Sequence, residues 1–106
     1  MVNNVILVGR IVKIENIERK MIITIAITRA YKNANGEYDT DLIDCVLWRG
    51  VADVTSKYCK EKDLIGIKGR IQVTESENKE RKMEIIAERV TILNSKKEEE
   101  KWEKNY

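Results

Sequence analysis

Five segments of the chain alternate apolar and polar residues with the period of two that is typical of a β-strand. These predicted strands cover residues 2–13, 21–30, 41–50, 63–73 and 82–93. Residues 50–60 place Val51, Val54 and Tyr58 at helical spacing, which predicts a short amphipathic helix whose apolar stripe packs on the strands. The predicted order is therefore three strands, one helix and two strands.

The third predicted strand contains an outward-facing aromatic residue. Its alternation separates a core-facing set, Ile43, Cys45 and Leu47, from an outward set, Leu42, Asp44, Val46 and Trp48. An indole next to the Arg49 cation suits a flexible nucleic-acid strand, because a base stacks on the ring while the charge attracts a phosphate. Packing in a core or an interface is the ordinary role of a strand tryptophan, and it stays the alternative.

The first predicted strand is apolar on both faces. One face carries Val5, Leu7, Gly9 and Ile11, and the other carries Ile6, Val8, Arg10 and Val12. We therefore expect both faces to be covered, one by the core and the other by another element or another chain. Gly9 in mid-strand predicts a sharp bend or a close backbone approach, as a small closed barrel requires.

The last two predicted strands add a core face and two outward cations. The fourth is predicted to point Ile65, Ile67, Gly69 and Ile71 at the core. Lys68 and Arg70 then face outward, where they would follow a sugar–phosphate backbone or simply be solvated. In the fifth, Met83, Ile85 and Ala87 share one face, whereas Ile86, Val90 and Ile92 predict a bulge that changes the face.

The segments that connect the predicted strands differ in their turn residues and charge. Asn35-Gly36 within residues 33–37 predicts a hairpin turn, and Tyr31, Lys32 and Tyr38 flank it. Such a tip would either fold over a bound strand or form an ordinary solvated loop. Residues 14–20 predict a polar turn, and residues 74–81 predict a mobile charged loop without an apolar anchor.

Composition limits the class of protein. The 106 residues suffice for one domain, and no apolar run is long enough to cross a bilayer. The start resembles no signal peptide, so a cytoplasmic location is expected. The net charge is only +2, from 20 Lys and Arg against 18 Asp and Glu. A polyanion would therefore have to bind in a locally positive groove.

Catalytic and metal chemistry find little support. The chain has no histidine, which excludes Cys/His zinc sites, a Cys–His nucleophile and a Ser–His–Asp triad within one chain. It offers no nucleophile–base pair and no phosphate-cradling glycine loop, so an enzyme is not expected. Cys45 and Cys59 are predicted to be reduced thiols that serve as small apolar residues.

These elements assemble into a known layout. Five strands with one helix between the third and fourth predict an all-β, five-stranded Greek-key barrel, the OB-fold, over residues 1–94. Residues 95–106 are predicted to form a charged tail, either helical or disordered. The OB-fold binds its ligand over strands two and three, which brings together five predicted site residues: Trp48, Leu42, Arg29, Tyr31 and Lys32.

Several segments match one family in a single register over residues 1–93. They are Val5 to Ile11, Asp41 to Trp48, Val51 to Asp53, Tyr58, and Gly66 to Ile71. The chain thus resembles bacterial-type single-stranded DNA-binding proteins. The resemblance implies binding of single-stranded DNA without sequence preference in replication, recombination and repair, with no cofactor. It also implies a homotetramer of two dimers, with the first strands, Val5 to Val12, at the dimer interface.

The resemblance also indicates which residues contact DNA. Trp48 and Tyr31 stand where the family has stacking aromatics, whereas Leu42 and Ser76 replace two others. Two of four platforms are missing, which implies weaker binding unless Tyr38 compensates. The complete set of predicted DNA contacts is Trp48, Tyr31, Leu42, Arg29, Lys32, Tyr38, Arg49, Lys68, Arg70 and Arg10.

The end of the sequence departs from the family. The acidic tip that recruits other replication proteins in the family is absent, and the sequence instead ends in Lys-Glu repeats with Trp102 and Tyr106. The sequence therefore does not predict whether the protein recruits other replication proteins. A protein-interaction module of a primosome or replication-restart complex, built on the same fold, stays the alternative function.

Overall fold

The computed structural model of the protein describes residues 1–94 as a closed five-stranded barrel. Its elements are β1 (Val5–Ile17), β2 (Lys20–Lys32), β3 (Tyr38–Trp48), α1 (Arg49–Tyr58), β4 (Leu64–Glu75) and β5 (Arg81–Asn94). The strand order around the barrel is β1-β2-β3-β5-β4, and β4 pairs again with β1. The predicted OB-fold and its helix between the third and fourth strands are confirmed. The prediction for the tail, residues 95–106, lies outside the described residues.

The barrel closes through a short parallel contact between β3 and β5. Only two residue pairs form it, Cys45 with Ile85 and Val46 with Ile86, whereas every other strand pair is antiparallel. Next to this contact, residues of β3 and β5 line a cleft on the outside of the barrel.

The core consists of aliphatic side chains from all five strands. The residues with at most 3% exposure include Ile11, Met21, Ile23, Ile25, Cys45, Leu47, Ile65, Ile67 and Ala87. The burial of Cys45 and Leu47 confirms the predicted inward direction of these two residues of β3. At Gly9 a Cβ atom would lie 2.8 Å from the Ala26 carbonyl oxygen, which confirms the predicted close backbone approach.

Two predicted connections are shorter in the structure. β1 continues to Ile17 through a bulge between Ile11 and Lys13, and β2 begins at Lys20, so the polar turn expected at residues 14–20 is wrong except for Glu18 and Arg19. Ile14 packs against the core, which explains why the strand continues. The mobile loop expected at 74–81 is instead a five-residue turn, in which the Ser76 amide donates to the Glu80 carbonyl at 2.9 Å.

Burial differs from the prediction at four residues. Val54 and Tyr58 of α1 are 60% and 66% exposed, because Ala52 and Thr55 form the face that packs on the barrel. Small side chains at these two positions let the helix approach the strands closely. Ile71 was predicted to lie in the core but is 39% exposed. Val46 was predicted to face outward but is buried where β3 pairs with β5.

The bulge predicted in β5 is confirmed. Lys68 pairs with Arg89 and Gly69 pairs with Ala87, so the register between β4 and β5 skips Glu88. The consecutive residues Ile86 and Ala87 are both buried as a result. No helix in residues 1–94 is long and apolar enough to cross a membrane.

Both cysteines are free thiols, as predicted. Burial raises the pKa of Cys45 to about 12, and it also raises the pKa of the half-buried Cys59. At pH 8 only about 1 in 10⁴ of the Cys45 thiols would be ionised, and the thiolate is the reactive form. We therefore expect a thiol reagent to label Cys59 first in the folded protein, and Cys45 only on unfolding, as read by peptide mass spectrometry. Equal labelling rates in the folded protein would contradict this burial.

Candidate nucleic-acid interface

Trp48 ends β3 on the outward side of the barrel. Its side chain is 49% exposed and does not belong to the buried core cluster. Lys20, at the start of β2, is its direct register partner, and the Lys20 Nζ lies 5.5 Å from the centre of the indole. An exposed cation–π contact contributes about 0.5–1 kcal/mol, less than the ~1–3 kcal/mol of a stacked base. A base can therefore displace the ammonium from the ring.

A second group of aromatics lies at the opposite end of the β2–β3 ladder. Tyr31 and Tyr38 are 85% and 54% exposed. Lys32 is the register partner of Tyr38, with its Nζ 5.8 Å from the centre of the ring. The adjoining turn is ordered by Asn33, whose Oδ1 accepts hydrogen bonds from the Asn35 and Glu37 amides at 2.8 and 3.0 Å. The two ends of the ladder thus repeat one arrangement, a lysine over an aromatic ring.

A cleft of about 400 Å³ lies between β3 and the β4–β5 hairpin. Leu42 and Met83, 66% and 67% exposed, are its most accessible apolar residues. The charged side chains in its wall are Lys20, Asp44, Lys82 and Glu84. An extended ligand on β3 would therefore meet aliphatic surface and charges of both signs beside Trp48.

Arg29 lies on the predicted face but is engaged with carboxylates. Its Nε and Nη2 donate to the two carboxylate oxygens of Asp41, both at 2.9 Å, and its Nη1 lies 3.8 Å from Asp39. The hydrogen bond between Arg29 and Asp41 raises the pKa of the guanidinium and lowers the pKa of the carboxyl. A phosphate at Arg29 would have to compete with these two acids.

Three other predicted cations lie elsewhere on the barrel. Arg10 donates from Nη1 to the Lys62 carbonyl at 2.8 Å. Arg70 lies 3.5 Å from Glu88 and donates to Gln72 at 3.2 Å. Lys68 lines an apolar cleft on the outer side of β1 and β4. None of these three lines either of the clefts that adjoin Trp48.

Arg49, the residue after Trp48, lines a smaller cleft of about 240 Å³. Arg19 and Lys20 line it too, together with the acids Glu18 and Asp53. Sequence reasoning selected Arg49 but missed Arg19, Lys20, Lys82 and Met83. The signal for Lys20 was the register of the β2–β3 hairpin, which places that lysine directly opposite Trp48. Ser76, where the resemblance implies that an aromatic residue has been replaced, lies in the β4–β5 turn.

The arrangement is that of an OB-fold binding protein, whose face over strands two and three takes oligonucleotides or oligosaccharides. Residues 2–93 match the single-strand binding protein family, and the chain belongs to that family.

Individual relatives support the assignment. Over 84 residues, the chain is 39% identical to single-stranded DNA-binding protein B of Bacillus subtilis, which covers 74% of each protein. It is 43% identical to single-stranded DNA-binding protein 1 of Lactococcus lactis, over 74% of this chain and 56% of that protein. The matched segment thus spans only slightly more than half of the Lactococcus relative.

Solved structures share the fold. The small single-stranded DNA-binding protein of Mycoplasma pneumoniae superposes with a TM-score of 0.70 at 20% identity, over 88% of this chain and 95% of that one. The protein from Thermus aquaticus superposes with a TM-score of 0.73 at 17% identity, over 91% of this chain and 52% of that one.

Proposed function

We propose that the protein binds single-stranded DNA without sequence preference and protects it during replication, recombination and repair. The observation that carries the proposal is Trp48, a half-exposed indole on the β2–β3 face with the Lys20 cation beside it. Bases of any identity have a π-face that stacks on such a ring, and cations next to it hold phosphates. Residues 1–94 form the binding domain in this proposal, and the protein acts in the cytoplasm without catalysis or a cofactor.

A fluorescence titration tests the proposal. The sequence contains two tryptophans, so the Trp102→Phe variant is used to leave Trp48 as the single indole. Added oligo(dT) is expected to quench its emission, with an affinity that falls as salt rises because bound phosphates release counterions. Oligonucleotides of mixed sequence should bind with similar affinity. A folded protein that shows no quenching and no binding at low salt would refute the proposal.

We further propose a homotetramer of two dimers, with the outer face of β1 at the dimer interface. Ile6 and Val8 on this face are 72% and 50% exposed in the single chain. Together with Leu93 and Gly66 they line an apolar cleft of about 270 Å³. Exposed apolar residues that adjoin one another are typical of an interaction site.

Val8→Glu is expected to split the assembly, because the carboxylate would lose its hydration and replace an apolar contact at this interface. The mass in solution, measured by light scattering, should fall at least by half, while the circular dichroism spectrum is unchanged. Val54→Glu, on the equally exposed outside of α1, is the control and should keep the wild-type mass. A wild-type mass for Val8→Glu would refute the placement of the interface on β1.

The cleft between β3 and the β4–β5 hairpin also supports a second candidate function, a protein-interaction module in a primosome or replication-restart complex. Leu42 and Met83 present aliphatic rather than aromatic surface, which suits a protein side chain as well as a base. Capture experiments from nuclease-treated lysate distinguish the two functions. Recovery of replication proteins, combined with no DNA binding by the pure protein, would favour the interaction module.

A further inference from the structure

Lys20 occupies a junction on the candidate interface. It lines both the 400 Å³ cleft beside Leu42 and the 240 Å³ cleft beside Arg49, and these two clefts share no other residue within residues 1–94. It is also the register partner of Trp48 and holds its Nζ 5.5 Å from the centre of that ring. A strand that passed from one cleft to the other would therefore cross Lys20, next to the Trp48 ring.

The two cations beside Trp48, Lys20 and Arg49, are not held in ion pairs by carboxylates of the described residues. Within residues 1–94, no carboxylate lies within ion-pair distance of Lys20 or Arg49, whereas Arg29 is paired with Asp41 and Arg70 with Glu88. A lysine is also suited to movement, because its ammonium is a point charge with three donors on a flexible four-carbon stem. The charge nearest to Trp48 is thus one that can change its position without breaking a salt bridge.

We propose that Lys20 positions DNA at the Trp48 platform, an inference that rests on the proposed function. Without DNA, the Lys20 ammonium lies over the indole and covers the surface on which a base stacks. When a base stacks on that surface, the ammonium turns to the phosphate next to the base. The following phosphate then lies in the smaller cleft, beside Arg49. Lys20 thus links stacking on Trp48 to neutralisation of a phosphate.

The salt dependence of binding tests this role. For single strands, each neutralised phosphate contributes about −0.7 to the slope of log affinity against log salt concentration. In the Trp102→Phe background, Lys20→Gln should therefore make the slope less negative by about 0.7. At 50 mM salt this corresponds to about eightfold weaker binding, if the two proteins are equal at 1 M. The quenching at saturation should be unchanged, because the base still stacks on Trp48.

Two control variants make the result specific. Lys20→Arg keeps the charge and should restore the wild-type slope. Lys60→Gln removes the same charge from the loop after α1, one helix length or about 15 Å along the axis from Trp48, and should leave the slope unchanged. A purely structural role for Lys20 would lower the melting temperature without changing the slope.

The outcomes separate this inference from the proposed function. If the wild-type protein does not bind oligo(dT), the proposed function fails and the role of Lys20 fails with it. If the wild-type protein binds and quenches while Lys20→Gln keeps the wild-type slope, only the role of Lys20 is overturned. A slope that changes equally in Lys20→Gln and Lys60→Gln would also overturn it, because the effect would then follow net charge alone.

Discussion

Replacing Trp48 with alanine is expected to weaken binding to oligo(dT) by a factor of about 5 to 150 while leaving the barrel folded. The factor corresponds to the loss of about 1–3 kcal/mol from one stacked base. The fold should persist because the indole is 49% exposed and lies outside the buried core cluster. Binding is measured by the anisotropy of a labelled oligonucleotide, and folding by the melting temperature.

Tyr58→Ala is the matched control for this prediction. Tyr58 is 66% exposed but lies at the end of α1, away from the β2–β3 face. Its removal should leave the affinity within about twofold of the wild-type value, since surface changes of this kind are usually within about 0.5 kcal/mol. Unfolding of the Trp48→Ala variant would show that the indole supports the fold, and unchanged affinity would show that bases stack elsewhere.

The largest expected effect on stability concerns Gly69. Replacing it with alanine should lower the free energy of unfolding by about 3 kcal/mol or more, because the bulge in β5 brings backbone against this glycine. A Cβ at Gly69 would collide with the Ile86 carbonyl oxygen and lie 3.2 Å from the Ala87 Cα. Neither atom belongs to a side chain that can rotate away. Urea unfolding followed by circular dichroism measures the change.

Gly66→Ala, three residues earlier on β4, provides the comparison. Its Cβ would meet the Leu93 side chain at 3.7 Å, an ordinary contact distance. This variant should therefore differ from the wild-type protein by less than about 1 kcal/mol. If both variants were equally stable, the backbone of β5 would have to lie farther from Gly69 than it does in this structure.

The alternation in the sequence predicted most of the barrel and the outward position of Trp48. A period of two places every second residue of β3 on one face, which was enough to point Leu42 and Trp48 outward and Cys45 and Leu47 inward. The Asn35-Gly36 pair predicted the β2–β3 hairpin, because Gly36 adopts a φ of 78° that glycine tolerates. These features depend on residues that are close together in the chain.

The environment of the charged residues was decided only by tertiary structure. Arg29 was a predicted phosphate contact, yet β3 places Asp41 within 2.9 Å of it across the hairpin. Lys20 looked like part of a polar turn, yet the β2–β3 register places it over Trp48. The sequence alone does not distinguish one cation from another on the same face, because the acids and rings beside each cation come from distant segments of the chain.

The sequence by itself determined the hairpin turn, the family, and most of the strand faces and aliphatic core, with Ile71 and Val46 as exceptions, since each follows from local alternation, turn residues or matched segments. The tertiary structure decided which face of α1 packs, how β5 passes Gly69 and which cation lies at the Trp48 ring. The physical reason is that contacts between segments far apart in the chain depend on register and on bulges, and a shift of one residue moves every side chain to the opposite face.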